Sequence, residues 1–588
     1  MASSSSNLSY SVLLRRYLVP DWLRATLLLV LLLVGAVLVL ISPALLASFI
    51  DAVVGVGQGD LLRLGALFLG VALISQVITI ITNYLGTDIG LRATNQLRTD
   101  LMLHCLNLDM AFHNRTTPGT LIERIDGDVS RLNEFLSSFA LLLIKNALLL
   151  VGSLAAIALI DWRAGAALSV LVVAVLAGLE ATRRTAIPAI TRESVASAEL
   201  FSVIEERLAG VEDMKANGAA EYVLRRHTEV SRVWARAVTW SHTIAAVPGG
   251  IAFVGYAVAV ALALTIAIWL VGTGAATIGA AYAIFRYLEH MRWPIQQIGR
   301  QIQDMQQAGA AIIRLEELFS QQSVITAGGE TRLPQEPCAI SFEHVSFAYP
   351  ASPDVDEPRR YALHDLSFHL PAGAILGLLG RTGSGKTTVT RLLLRFYDPT
   401  TGSIRLGTTA IAAVALPELR QHVGLVTQEV QLFHASVREN LSLFDRSIAD
   451  ERLYAALAAV ELDDWLAALP DGLDTLLPPG GGLSAGQAQL LAVARVLLRD
   501  PALVILDEAS SRLDPATEQR LEQAFARLLH GRTSIIIAHR LATVDRADYI
   551  MILEDGRCVE FGSRAALAAA PDSRFAQLMR VGMEEALA

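Results

Sequence analysis

Long apolar runs dominate the first half of this chain and leave it few choices of fold. A bilayer's hydrocarbon core is about 30 Å thick and takes roughly 20 apolar residues as a helix, because backbone N–H and C=O groups find no water there and must bond within the segment. Runs of that kind lie at about 23–50, 61–85, 135–160, 164–181, 244–271 and 275–291. Only Asp161, Trp162 and Arg163 separate the third from the fourth, which predicts a tight turn. The first half is therefore expected to be a multi-pass α-helical membrane domain of six transmembrane helices. The hydrophobic share of 53% and mean hydropathy of +0.45 exceed those of ordinary soluble proteins, although residues from 338 onward read as soluble sequence.

The connections between runs alternate in length, and the long ones carry the positive charge. Arg92, Arg98, Arg115, Arg124 and Arg131 follow the second run. Arg183, Arg184, Arg192, Arg207, Lys215, Arg225, Arg226, Arg232 and Arg236 follow the fourth. By the positive-inside rule these connections, both termini and the C-terminal half face the cytoplasm. Both long connections keep helical apolar spacing, as in Leu97, Leu101, Leu103, Leu106 and Leu108. This spacing predicts membrane helices that continue into the cytoplasm and turn near 112–119 and 210–216. The polar, serine-rich start at 1–7 predicts no ordered structure, and the first apolar run is too long for the core of a cleavable signal. The sequence divides into a polar tail and elbow (1–21), the membrane domain (22–319), a Ser/Thr/Gly-containing linker (320–337) and a C-terminal domain (338–588).

A formal charge of −9 offers no broad basic surface, so nucleic acid is not expected as a partner. Cys105, Cys338 and Cys558 are too dispersed for a disulfide framework or paired metal ligation and read as free thiols.

The C-terminal domain alternates short apolar strands with helices, the pattern of an α/β fold around a mainly parallel sheet. The strand 375–379 runs into Gly380, Arg381, Thr382, Gly383, Ser384, Gly385, Lys386 and Thr387, followed by Thr388. Glycines there let backbone N–H groups wrap phosphates, and a helix N-terminus favours the anion. Lys386 supplies a point charge to the outer phosphates, and the Thr387 hydroxyl suits Mg²⁺. Downstream, 504–506 forms an apolar strand that ends in Asp507, a carboxylate placed to hold the Mg²⁺ shell. Glu508 is then placed to polarise an attacking water. Either acid alone reads equally well as an exposed helix cap; the strand and the phosphate loop favour ATP hydrolysis.

With these motifs in order, the chain resembles the ATP-binding cassette (ABC) transporter family, specifically half-transporters of exporter type, over essentially its whole length. The resemblance implies a helical membrane domain followed by an α/β P-loop nucleotide-binding domain, with ATP and Mg²⁺ as cofactors. It implies that residues 483–487 form the signature loop, with Ser484, Gly486 and Gln487 contacting the γ-phosphate bound by an opposite subunit. Gln428 resembles the glutamine that senses Mg²⁺ and touches the membrane domain, and His539 the switch histidine. Tyr349 is similar to the aromatic on which adenine stacks, its plain alternative being a packed edge-strand tyrosine, and Asp514 matches the loop that links two sites. Several positions depart from the family pattern: Ala485 stands where glycine is commoner, Ala488 and Leu490 stand where arginines are common, and Arg512 replaces a small residue. These departures resemble those of subunits that pair with an unlike partner, so a second half-transporter subunit is expected, a heterodimer in preference to a homodimer.

The cargo is less legible. Lys145, Arg286 and Glu289 fall within or beside apolar runs, either lining a path for amphipathic or partly anionic cargo or neutralising one another. The leading expectation is export of small amphipathic molecules, lipids or peptides by alternating access in a bacterial inner membrane. An importer of metal chelates and an ATP-gated regulatory membrane protein are the alternatives. Only about twenty residues precede the first run, which disfavours a leader-cleaving protease module.

Overall fold

A computed structural model describes residues 16–17, 19–57, 60–134, 140–326, 328–329, 331–334, 336–350, 360–478, 482–507, 515–537 and 544–581. The chain forms two compact units, one of Met1–Leu106 with Pro118–Gln321 and one of Asn107–Thr117 with Gln322–Ala588.

Among the described residues the first unit has six long helices: α1 (Trp22–Val54), α2 (Leu61–Asn107), α3 (Ala140–Ile160), α4 (Trp162–Ala209), α5 (Ala220–Gly272) and α6 (Ile278–Ser320). By length and apolarity α1, α2, the first part of α4 and α5 are long enough to cross a membrane, and 144–160 of α3 forms a shorter apolar run. Helix α6 does not meet that measure, because Arg286, Glu289, His290 and Arg292 interrupt its apolar stretch. Pro43, Pro188, Pro248 and Pro294 lie inside α1, α4, α5 and α6, each removing an intrahelical bond where a kink is tolerated.

The turns follow from local chemistry. Asp161 alone joins α3 to α4, its carboxylate accepting from the Arg163 and Ala164 N–H groups at 2.8 and 3.0 Å, an N-cap. Thr277 caps α6 in the same way, so that helix starts three residues later than its apolar run. The end of α1 is tied to the start of α6: Asp51 accepts from the Thr277 hydroxyl at 2.7 Å and from the Gly279 N–H at 2.8 Å. A Cβ on Gly279 would lie 2.2 Å from the Ala47 carbonyl oxygen, so the two helices meet here at backbone distance. Helices α4 and α5 pack along much of their length, and α6 packs on α1, α3 and α5 around Ile157, Leu168, Leu270, Ile284 and Met291. The most apolar stretch of α2 has no buried residue.

After Pro118–Ile122 comes a π-helical turn, Glu123–Asp128, and then a short helix, Val129–Glu134. The turn directs Asp128 inward, where its side chain is 1% exposed. The carboxylate accepts from Arg131 Nη1 at 2.7 Å, from Arg314 Nη2 at 2.5 Å and from Arg314 Nε at 2.9 Å. Arg98 of α2 adds a bond to Ser130 at 2.8 Å and an ion pair with Asp126 at 3.1 Å. One buried carboxylate thus joins this segment to α6, with α2 attached beside it.

The second unit has two sheets. A four-stranded antiparallel sheet runs β2 (Tyr361–Leu370), β1 (Ile340–Ala348), β4 (Thr401–Leu406), β5 (Thr409–Ala410). A six-stranded sheet runs β10 (Arg557–Ser563), β9 (Tyr549–Glu554), β3 (Ile375–Leu379), β8 (Thr533–Ile537), β7 (Leu503–Asp507), β6 (Val423–Val426). All its pairings are parallel except that of β10 with β9. Strands β3, β7 and β8 are nearly continuous apolar runs because both faces of the sheet are covered.

Residues 107–117 also belong to this unit, although they interrupt the membrane half in sequence. A turn separates α2 from the helix Met110–Arg115, and a second short helix, Val211–Ala216, follows Gly210 in the first unit, each near a turn that the spacing predicts. Ala111 is buried in the core that holds Phe342, Leu378 and Val389. Asp109 caps the helix Met110–Arg115 through the Phe112 N–H at 3.0 Å and accepts the Val324 N–H with its other oxygen at 2.8 Å. The linker is held again by Arg395, a fully buried guanidinium that bonds Asp398 at 2.9 Å and Thr326 at 3.4 Å.

Candidate active site

The strand register assembles the site. Leu378 pairs with Ile537, and Ile537 with Asp507, so β3, β8 and β7 end side by side at the carboxyl edge of the sheet. That edge is where open α/β sheets bind ligands. From β3 the chain enters the phosphate-type loop and then α7 (Lys386–Leu393). Gly380, Gly383 and Gly385 take φ of +149°, +84° and +105°, a region that disfavours other residues. A Cβ at Gly380 would lie 2.3 Å from the Leu553 carbonyl oxygen, and one at Gly385 2.8 Å from that of Ala362. The loop can close this tightly only with glycine.

Lys386 is buried and donates to the Gly380 and Arg381 carbonyls at 2.5 and 3.0 Å, which holds its ammonium inside the loop. The Ser384 hydroxyl is buried and finds no hydrogen-bond partner among the described residues. An orphaned hydroxyl, an enclosed ammonium and a glycine cradle at a helix N-terminus are a donor set that fits a polyphosphate. Arg381, Thr382 and Gly383 are exposed at the loop tip.

Asp507 ends β7, and Thr387 stands on the first turn of α7; both line one cavity of about 220 Å³. A hydroxyl and a carboxylate facing one space are hard oxygen donors of the kind a divalent cation takes, so the residues fit Mg²⁺. Burial raises the pKa of Asp507, and the charges of Lys386 and Arg391 oppose that rise. Met110, Asn114, Arg391, Tyr397 and Thr427 line the same cavity. Gln428, the residue after Thr427, is exposed.

Tyr349 follows β1, and its hydroxyl lies 3.1 Å from that of Thr388, joining the predicted base platform to α7. Ser484, Gly486 and Gln487 lie apart from the cavity, at the start of α8 (Ala485–Arg499). Ser484 Oγ accepts from the Gln487 N–H at 3.2 Å and Gln487 Oε1 from the Ser484 N–H at 3.0 Å, a reciprocal cap. Both residues therefore shape a helix terminus whatever else they do, and the Ser484 O–H remains available to donate. Ala485 begins α8, a position that suits alanine better than glycine, and Leu490 is buried in the apolar core with Leu491 and Val493. Glu508, His539, Asp514 and Arg512 lie outside the described residues.

Sequence reading missed three contributors. Arg391 stands four residues after Thr387, hence on the same face of α7, and donates to the Tyr349 hydroxyl at 3.2 Å. Arg495 of α8 bonds the Gln431 and Asn440 carbonyls at 3.0 and 2.7 Å, fixing the segment after Gln428. Asn114 donates to the Tyr397 hydroxyl at 2.7 Å. Only the first left a signal in the sequence, its helical spacing.

In the membrane unit Arg286 and Glu289 pair with each other, which neutralises two of the charges placed there. A narrow apolar cleft of about 20 Å³ lies among Leu171, Tyr256, Ala259, Leu288 and Met291, with Arg292 5.1 Å from the Tyr256 ring centroid at its edge.

Comparison with known proteins points the same way. Residues 25–295 match the family described as ABC transporter transmembrane region, and 363–511 the one described as ABC transporter. The ATP-dependent lipid A-core flippase of Burkholderia pseudomallei (strain 1710b) is 32% identical over 537 residues, covering 89% of this chain and 88% of that protein. An uncharacterized ABC transporter ATP-binding protein of Bacillus subtilis (strain 168) is 28% identical over 542 residues, covering 91% and 88%. Among solved structures, that of a bacterial Atm1-family ABC exporter with ATP bound superposes with a TM-score of 0.78 at 24% identity, covering 97% of this chain and 99% of that one, and shares the fold.

Proposed function

This chain belongs to the ABC transporter family and couples ATP hydrolysis to movement of substances across a membrane, and from that premise we propose that it exports an amphipathic lipid as a homodimer. The observation that carries the reading is the glycine cradle enclosing Lys386, on a chain that also holds several helices long and apolar enough to span a bilayer. A lipid cargo is supported by the flippase name of relatives 30–32% identical along most of their length.

In this reading all six long helices cross the bilayer, with the cassette on the cytoplasmic side of a bacterial inner membrane, where the arginine-rich connections also lie. Residues 380–388 bind the phosphates and Tyr349 takes the base. Thr387, Asp507 and Gln428 hold Mg²⁺, which when bound neutralises charge on the outer phosphates. Glu508 and His539 act on the attacking water and the γ-phosphate, and Ser484, Gly486, Gln487 and Asp514 serve the partner's site. A second copy supplies that partner. Of the four positions that by sequence suggested an unlike subunit, Ala485 and Leu490 fit helix initiation and core packing within one chain.

The test is ATP-driven flux in proteoliposomes whose cassettes face outward. A fluorescent acidic glycolipid should move away from the cassette side with Mg-ATP, several-fold faster than without it. Movement toward the cassette side would indicate an importer, and ATP turnover that no lipid stimulates or follows would indicate another cargo.

A further inference from the structure

Tyr349 is fixed by two aromatic rings and two hydrogen bonds. Phe347 and Tyr397 meet it edge-on, with centroids at 4.9 and 5.2 Å and interplanar angles of 80° and 86°. Its hydroxyl accepts from Arg391 Nη1 at 3.2 Å and is free to donate to Thr388 Oγ1 at 3.1 Å. Tyr397 is itself oriented by Asn114. A ring so fixed presents one orientation to a stacked base, and two of its constraints come from α7, the helix that also carries Lys386 and Thr387.

Arg391 is the unusual member. It forms no ion pair among the described residues, and its guanidinium carbon lies 5.8 Å from the Tyr349 ring centroid. It shares the 220 Å³ cavity with Thr387 and Asp507. A half-buried cation with no carboxylate partner among the described residues, bonded to a phenol and lining one cavity with a metal-type carboxylate, needs an explanation beyond helix solubility.

We propose that Arg391 is a positioning residue of the ATP site: it sets the Tyr349 ring for the purine and links occupancy of that ring to the Thr387–Asp507 cavity, making affinity depend on the base. The inference rests on Tyr349 being the base platform. A phosphate chain without a base needs the loop, Lys386 and the Mg²⁺ ligands but no stacking ring, so loss of Arg391 separates the two ligands.

The experiment uses the full chain in lipid nanodiscs. Arg391→Met keeps the aliphatic stem and removes the fork; KM for Mg-ATP should rise about tenfold, the worth of one charge-assisted hydrogen bond, with kcat within about twofold. The inhibition constant of Mg-tripolyphosphate, measured on ATPase activity, should shift less than about threefold. Tyr349→Phe, which deletes only the hydroxyl, should raise KM comparably, and the double variant should be no worse than Arg391→Met, because both remove one interaction. Arg391→Lys should recover part of the loss. Equal shifts for ATP and tripolyphosphate, an unchanged KM, or additive single effects would overturn the proposal. If Arg391→Met folds poorly, Tyr349→Phe carries the test alone through the same split. Tyr349→Ala separates the layers: an unchanged KM sinks the base-platform reading itself, whereas a raised KM with Arg391→Met and Tyr349→Phe both normal sinks only the role of Arg391.

Discussion

Replacing Lys386 by alanine is expected to lower ATP turnover by about 10²–10³-fold, the loss typical of one preorganised charge facing a reacting phosphoryl group. The lysine is 7% exposed, and its ammonium already bridges the Gly380 and Arg381 carbonyls. It therefore orders the loop as well as supplying charge, and the substitution removes both. Arginine should not rescue it, because a planar five-donor fork cannot fill a buried site shaped around a compact ammonium. Phosphate release by the purified protein measures the effect. Retention of more than a tenth of the activity would mean that the phosphates are held elsewhere.

The second large effect lies outside the site. Asp128→Ala should destabilise the membrane unit by about 3 kcal/mol, the lower end for breaking a buried ion pair, since Arg131 and Arg314 are partly exposed and can rehydrate. In a thermal melt in detergent the apparent midpoint should fall by at least about 5 °C. Arg314→Ala should cost less, because Arg131 still satisfies the carboxylate at 2.7 Å. Equal melts for the wild type and Asp128→Ala would show that the buried carboxylate contributes nothing net. The same triad joins the π-helical turn Glu123–Asp128 to α6, so its loss should loosen that junction.

What the sequence announced and what it hid follow one physical division. The phosphate loop, Asp507 at a strand end and the segment 483–487 are each contiguous in sequence, and each is recognisable from neighbours within a few residues. Helix positions followed from the apolar runs, whereas the caps at Asp161 and Thr277, which set where two of the helices begin, appear only in the structure. Non-local pairings were invisible. Asp128 is one acid in a polar connection until the fold sets it against Arg314, 186 residues away. Asn114 reads as a turn residue until it meets Tyr397. Residues 107–117 fall among membrane sequence, yet Asp109 and Ala111 tie them to the second unit. The charges of α6 were open to two readings, and the pairing of Arg286 with Glu289 favours neutralisation over lining a path.

The central claim is that this chain alone suffices as an ATP-driven transporter, and hydrolysis measures it most directly. Mg-ATP turnover should be followed with the chain purified by itself in lipid nanodiscs, beside Glu508→Gln. The account predicts steady turnover that the substitution abolishes while ATP binding persists. Folded protein that binds ATP but turns over no faster than the Glu508→Gln control would contradict it and require an unlike second subunit.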